Sequence, residues 1–381
     1  MPLSISLAAH RVVTRNGLRE PQLLKLASGD LLLTYHVQAD MHFSERQGLR
    51  SRDGGRTWRK EPRRGHREQA IGQSPDGVVF APDIYTFERR PGEYHGSFFR
   101  SDDGGATFSG PHPLRLFVDR VQAIEYPTPR HVPPEGHVLR KFYQPLPKYY
   151  APVVRRSSRR LGPHFWRYII KHKGRWLASM ACKFHGDQKY RSILAASHDD
   201  GRTWRYVSTI AYVYDRFDGD GYCEPALIET PDGGLLCVMR WGGGAPLGQC
   251  RSLDGGLTWT EPEKLAGHGV DPDLCLMSNG VLACTYGRPG LHIMFSEDGC
   301  GYSWGYRTQI GDFRSSCYMG IIEVAPGELL VTYDQTESNA EGSGRDPKQC
   351  RIGSVLVRVR QFNPRSAGQS SVTASARRRR P

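Results

Sequence analysis

Three arginines, a glutamate and a tyrosine stand at matching places in repeated phrases of this chain. Arg19 opens REPQLLKLASGDLLLTYH (19–36), Glu224 opens EPALIETPDGGLLCVMR (224–240), and Tyr318 opens YMGIIEVAPGELLVTYD (318–334). A fourth phrase, DPDLCLMSNGVLACTYGR (271–288), begins with Asp271 and Asp273. Arg240 and Arg288 close two of these phrases. A guanidinium is a planar fork that stays charged at any working pH and grips a carboxylate through two parallel hydrogen bonds. Three such forks around one pocket would hold an anionic ligand. A tyrosine hydroxyl, with an unperturbed pKa of about 10, needs a neighbouring base and a cationic field before it acts as a nucleophile.

The phrases also say what positions these residues. Each is an apolar run, a glycine turn and a second apolar run, the pattern of a β-hairpin. Five further segments carry Ser-x-Asp-x-Gly-x-Thr-Trp or a near version of it. They begin at Ser51 (SRDGGRTW), Ser101 (SDDGGATF), Ser197 (SHDDGRTW), Ser252 (SLDGGLTW) and Ser296 (SEDGCGYSW, with one residue inserted). Asp can bond back to nearby backbone N–H groups and Gly permits left-handed backbone, so the motif makes a tight turn between strands. The closing aromatic then packs between neighbouring sheets. Recurrence at a period of about 45 to 55 residues signals a propeller or solenoid. In a propeller the first strand of each blade lines the central channel, so the residues that open the phrases converge on one pocket.

The five segments resemble the Asp boxes of sialidases and their relatives. That resemblance implies an all-β, six-bladed propeller with Asp-box turns, and it covers roughly residues 5–362. It also implies roles. Arg19 in Arg-Glu-Pro is similar to the family's first arginine in Arg-Ile-Pro. Arg240, sixteen residues after Glu224, and Arg288 in TYGRPG would complete the triad that binds the sugar carboxylate. Tyr318 corresponds to the nucleophile, Glu224 to the base that draws off its proton, and Asp40, eleven residues before Ser51, to the acid/base on a loop. A tyrosine suits such a substrate because the anomeric carbon of sialic acid bears a carboxylate, which would repel an anionic Asp or Glu nucleophile; sialidases are the known exception to the two-carboxylate rule. The expected activity is removal of a terminal sialic acid, or a related acidic sugar, with retention. Two alternatives stay open: a glycosidase or lyase for a uronic or neutral sugar on the same scaffold, and a propeller that binds glycans or proteins without catalysis. Two departures from the family pattern stand out. Arg19 is followed by a carboxylate, and Pro225 follows Glu224. Glu20 also shares the blade position of Glu224, so Glu-Pro may be read as a feature of the repeat itself.

At 381 residues, length alone would allow two or three domains, but the repeat argues for one. The 43 Gly and 26 Pro suit short strands and turns. The expected organisation is one propeller over 1–363, with 109–165 as an insertion between blades 2 and 3 and a disordered basic tail over 364–381. The insertion reading rests on spacing, since 96 residues separate Ser101 from Ser197; a blade that has lost its box is the alternative. The run SISLAAHRVV (4–13) is expected beside SVLVRVRQF (354–362), closing the ring and removing free edges.

The formal charge of +13 reads as a solvated face or as attraction of an anionic substrate. The expected partner is a sialylated or other acidic glycan; no nucleic-acid motif is present and no membrane partner is expected. No apolar run approaches the ~20 residues that span a bilayer, and no secretory signal is visible. Nine cysteines form no CxxC pair and read as buried free thiols, so a cytoplasmic location is expected. There is no GxxxxGK[ST], no GxGxxG after a strand and no HExxH, so neither cofactor nor metal is expected.

Overall fold

A computed structural model of the chain describes residues 2–15, 19–36, 46–61, 72–125, 160–213, 221–242, 246–337 and 349–361. Among these residues there is no α-helix, and none of the structure is a helix able to cross a membrane. The strands form antiparallel sheets whose members follow one another in the chain. Arg19–Lys25, Leu31–His36, Arg46–Ser51 and Arg59–Lys60 make one. Cys223–Glu229, Leu235–Arg240, Leu247–Ser252 and Glu263–Ala266 make a second, and Asp273–Leu276, Leu282–Gly287, Leu291–Ser296 and Gly305–Gly311 a third. A ten-stranded sheet holds the strands between Gly72 and Ala211; it contains two Asp-box turns, and one parallel pairing, Ser109–Phe117 on Thr203–Ala211, joins its two parts. This is the propeller expected from the repeat.

The last sheet closes the ring. Met319–Ala325, Glu328–Thr336 and Cys350–Gln361 come from the end of the chain, and Leu3–Leu7 pairs with the last of them in the register Leu3↔Gln361 to Leu7↔Val357. Arg11–Arg15 continues along the same strand. The N-terminal run therefore lies where the sequence places it.

Apolar seams between successive sheets hold the ring together. Leu177 and Leu194 pack with Leu235 and Cys237, Leu236 and Val238 with Leu282 and Cys284, and Leu23, Leu31 and Leu33 of the first sheet with Leu330 and Ile352 of the last. The Asp boxes pin the outer turns. In the first, Asp53 Oδ1 accepts the backbone N–H groups of Arg56 and Thr57 at 3.0 and 2.9 Å, and Thr57 Oγ1 donates to Oδ2 at 2.6 Å. These donors hold the Asp53 carboxyl down at about 2. Asp103, Asp254 and Asp298 repeat the arrangement. In the third box the glycine is obligatory: Gly201 has φ +83, and a Cβ there would collide with Phe80. Trp204 of that box is fully buried and donates Nε1 to Gly201 O at 2.9 Å.

The expectation for 109–165 needs correction at both ends. Residues Ser109–Phe117 are a strand paired with Glu93–Ser101, and Arg160–His172 is a strand of the same sheet. Both carry the alternation of a half-buried strand, which Pro and Arg in the sequence obscured. Residues 126–159 and the tail 362–381 lie outside the described residues. All of the nine cysteines but Cys223 are buried.

Candidate active site

One backbone device opens the blades. Glu20, Arg167, Glu224, Asp271 and Cys317 all have left-handed φ, at 54°, 49°, 52°, 41° and 66°. Non-glycine residues rarely adopt this conformation, and it costs on the order of 1–3 kcal/mol each. Proline follows three of them: Pro21, Pro225 and Pro272. Proline offers no N–H to the ladder, and the register slips at these points, between Arg19↔His36 and Gln22↔Thr34 and between Cys223↔Arg240 and Ala226↔Val238. Glu20 and Glu224 each stand at such a slip.

Tyr318 and Glu224, 94 positions apart in the chain, meet there. Tyr318 donates its hydroxyl to Glu224 Oε1 at 2.5 Å. Arg240 Nη1 donates to the same oxygen at 2.8 Å, and the Asp271 backbone N–H donates to Oε2 at 2.8 Å. Arg19 and Arg288 flank the phenol ring, with guanidinium carbons 5.0 and 5.8 Å from its centroid. Arg288 Nη2 is braced on Ser316 O at 2.8 Å. Arg19 is held by Glu20, whose other oxygen lies 2.9 Å from His36 Nε2.

Tyr318 is 5% exposed. Burial, followed by the charge of Glu224, pushes its hydroxyl well above the ordinary phenol range, while Arg19 pulls the other way. The phenol is therefore neutral at rest. Burial disfavours the charge on Arg240, but Glu224 more than restores it and the guanidinium stays protonated.

Below this pair lies a buried ion network. Arg167 is fully buried and is bonded to both oxygens of Asp271, at 3.0 Å from Nε to Oδ1 and more closely from Nη2 to Oδ2. Its Nη1 lies 3.5 Å from Asp273 Oδ2. Burial pushes the Asp273 carboxyl up to about 6 against the pull of Arg167. Tyr168 crosses the channel to donate to Leu23 O at 2.5 Å. Polar side chains of two blades, with a main-chain carbonyl from a third, thus meet beside the site.

The structure brings together five of the six residues read from the sequence: Tyr318, Glu224, Arg19, Arg240 and Arg288. Asp40 lies outside the described residues. The sequence patterns do not single out Trp166 and Arg167, which stand in the strand Arg160–His172 without a Glu-Pro or Asp-Pro opening. The signal was present: Arg167 precedes an apolar run and the turn Lys173–Gly174, as Glu224 precedes its own run and turn. Among the described residues no cluster of three or more His, Cys, Asp or Glu side chains could hold a metal ion.

Residues 154–331 match the family described as BNR repeat-like domain. No curated protein sequence matches the chain. Solved structures share its fold. One is a protein of unknown function from Dyadobacter fermentans, 18% identical over 93% of this chain and 99% of that one, with a TM-score of 0.68. Another is the Hadza microbial sialidase Hz136, 16% identical over 90% of this chain and 66% of that one, with a TM-score of 0.59. A third is an alpha-L-arabinanase from Penicillium chrysogenum, complexed with arabinobiose, 14% identical over 92% and 98%, with a TM-score of 0.60. The chain thus carries a segment similar to the BNR repeat-like domain, on a fold that it shares with sialidases and an arabinanase.

Proposed function

We propose that the protein is a retaining glycoside hydrolase that removes a terminal sialic acid or related acidic sugar, on a propeller of six blades. The blade count takes the ten-stranded sheet as two blades, one for each of its Asp boxes. The observation that carries the function is the 2.5 Å hydrogen bond from Tyr318 to Glu224 between flanking guanidinium groups. Arg19, Arg240 and Arg288 bind the sugar carboxylate and orient the anomeric carbon over Tyr318. As Tyr318 Oη attacks that carbon, its proton passes to Glu224, and the glycosidic C–O bond breaks. Asp40, on the segment 37–45, gives a proton to the departing oxygen. Water then attacks the tyrosyl-sugar, Asp40 takes its proton, and the released phenolate recovers its own from Glu224. The substrate is a sialylated or other acidic glycan.

A second reading, hydrolysis of a neutral sugar, draws on one observation. Arg19 is tied to Glu20, which offsets one of the three positive charges offered to an anion. The arabinanase fold likeness is compatible with it. Release of the phenol from a small aryl sialoside, set beside the matching aryl arabinofuranoside, tests the choice. Turnover of the sialoside alone supports the first reading, and turnover of the arabinofuranoside alone replaces it with the second.

A further inference from the structure

Glu224 has two oxygens with different duties. Oε1 receives the Tyr318 hydroxyl and the Arg240 guanidinium, whereas Oε2 is held by the backbone N–H of Asp271 at 2.8 Å. The terminal torsion of a glutamate is soft, so one anchored oxygen is what aims the other. That N–H points into the site because Asp271 sits at φ 41°, a conformation that Asp tolerates better than most residues yet does not prefer. Something must hold it there. Asp271 Oδ1 accepts Trp166 Nε1 at 2.9 Å and Arg167 Nε at 3.0 Å; Arg167 Nη2 reaches both Oδ2 and, at 3.0 Å, the Asp271 carbonyl oxygen. Arg167 is fully buried and Asp271 is 1% exposed, so this clamp works where water does not compete for its hydrogen bonds.

We propose that Asp271, clamped by Arg167 and Trp166, is a positioning residue that fixes the Glu224 carboxylate for proton transfer with Tyr318. The role rests on the reading of Glu224 as the base. It requires no contact between Asp271 and substrate. Its effect passes through a main-chain N–H, which explains why an ion pair is built into the channel floor and why it grips the backbone carbonyl of Asp271 as well as its side chain. The charged groups around Glu224 and Asp271 come from five blades: Arg19 and Glu20, Arg167, Arg240, Asp273 and Tyr318. Of these only Arg167 binds both the side chain and the main chain of Asp271.

Three variants test this: Asp271→Asn, Asp271→Ala and Trp166→Phe. Asn accepts left-handed backbone and keeps an acceptor for Trp166; Ala loses the clamp and is strained at this φ. A displacement of about 1 Å in such a group costs on the order of 10²-fold in rate. On an aryl sialoside, kcat should fall about 10²-fold for Ala and about tenfold for Asn, and by less for Trp166→Phe, with KM held within about twofold throughout. A purely structural ion pair would instead lower the melting temperature and leave kcat per folded molecule unchanged, and that result overturns the proposal. Crystal structures give a readout independent of substrate. In Asp271→Ala, Glu224 Oε2 should leave hydrogen-bond distance of the residue 271 N–H; an unmoved Glu224 overturns the proposal. Should wild-type protein be inert toward every sialoside while Glu224 moves in this variant, the sialidase reading fails and the positioning role stands. If Asp271→Ala does not fold, Asp271→Asn and Trp166→Phe decide: a fall in kcat at constant KM supports the role, and unchanged kcat removes it.

Discussion

Glu20 and Glu224 are the same residue in two blades. Each is left-handed, each precedes a proline, and each lies at the register slip of its inner hairpin. Their partners differ. Glu20 is ion-paired with its own neighbour Arg19 and lies 2.9 Å from His36 Nε2, both from its own blade. Glu224 takes Arg240 from its own blade, but also a phenol from the phrase that opens at Tyr318 and an N–H from the one that opens at Asp271. The repeat therefore supplies a carboxylate at the opening of each of these two blades. The proposed chemistry belongs to the one of the two that a phenol from another blade reaches.

The largest expected effect comes from breaking the cross-blade contact. Tyr318→Phe should lower turnover on the order of 10³-fold or more, with little change in melting temperature, since one hydroxyl is removed from a packed ring. Near wild-type turnover on acidic sugars would mean that the phenol is not the nucleophile. Next comes Glu224→Gln, which keeps a hydrogen bond to the phenol but cannot accept its proton. Loss of a general base predicts a fall of about 10² to 10⁴ in kcat, against less than tenfold for Glu20→Gln. Equal losses in steady-state kinetics would erase the distinction between the two glutamates.

A smaller effect is expected at the clamp. Arg288→Lys keeps the charge and loses the fork, so kcat/KM on the acidic substrate should fall about 10- to 100-fold. A substrate reduced from carboxylate to alcohol should be poor for wild type and nearly indifferent to this change. Wild type that uses both equally well would favour the neutral-sugar reading. The smallest catalytic effect should follow Trp204→Ala, in a buried box on the outer turn. Unfolding free energy should drop by about 3–5 kcal/mol, with the rate constant of the folded enzyme preserved. A shifted substrate preference at unchanged stability would place that turn at the active site.

The fold was legible because the Asp box is a local device. Asp53 and Thr57 satisfy one another within a single turn, so the pattern survives in sequence whatever the rest of the blade does. The site was legible where Glu-Pro or Asp-Pro marks a blade opening, as at Glu224 and Asp271. It was not legible at Arg167, which opens its blade without a proline and follows a Pro- and Arg-rich stretch. Nor could any sequence pattern say that Tyr318 selects Glu224 rather than Glu20, because that choice depends on the order in which blades surround the axis.

The seam that closes the ring has a consequence in time. Leu3–Leu7 and Arg11–Arg15 pair with Cys350–Gln361, the last of the described strands in chain order. Until that strand appears, the earliest residues have no ladder to join, and the blade that holds Tyr318 is incomplete. Contacts of such long sequence separation form slowly, because loop closure precedes any stabilising gain. The nascent chain can assemble its middle sheets in order as they emerge, yet the blade that holds Tyr318 is complete only once Cys350–Gln361 has joined it. A chain that stops or is clipped before that strand would thus carry Glu224 without a settled Tyr318, and the proposed chemistry would wait until the circle is whole.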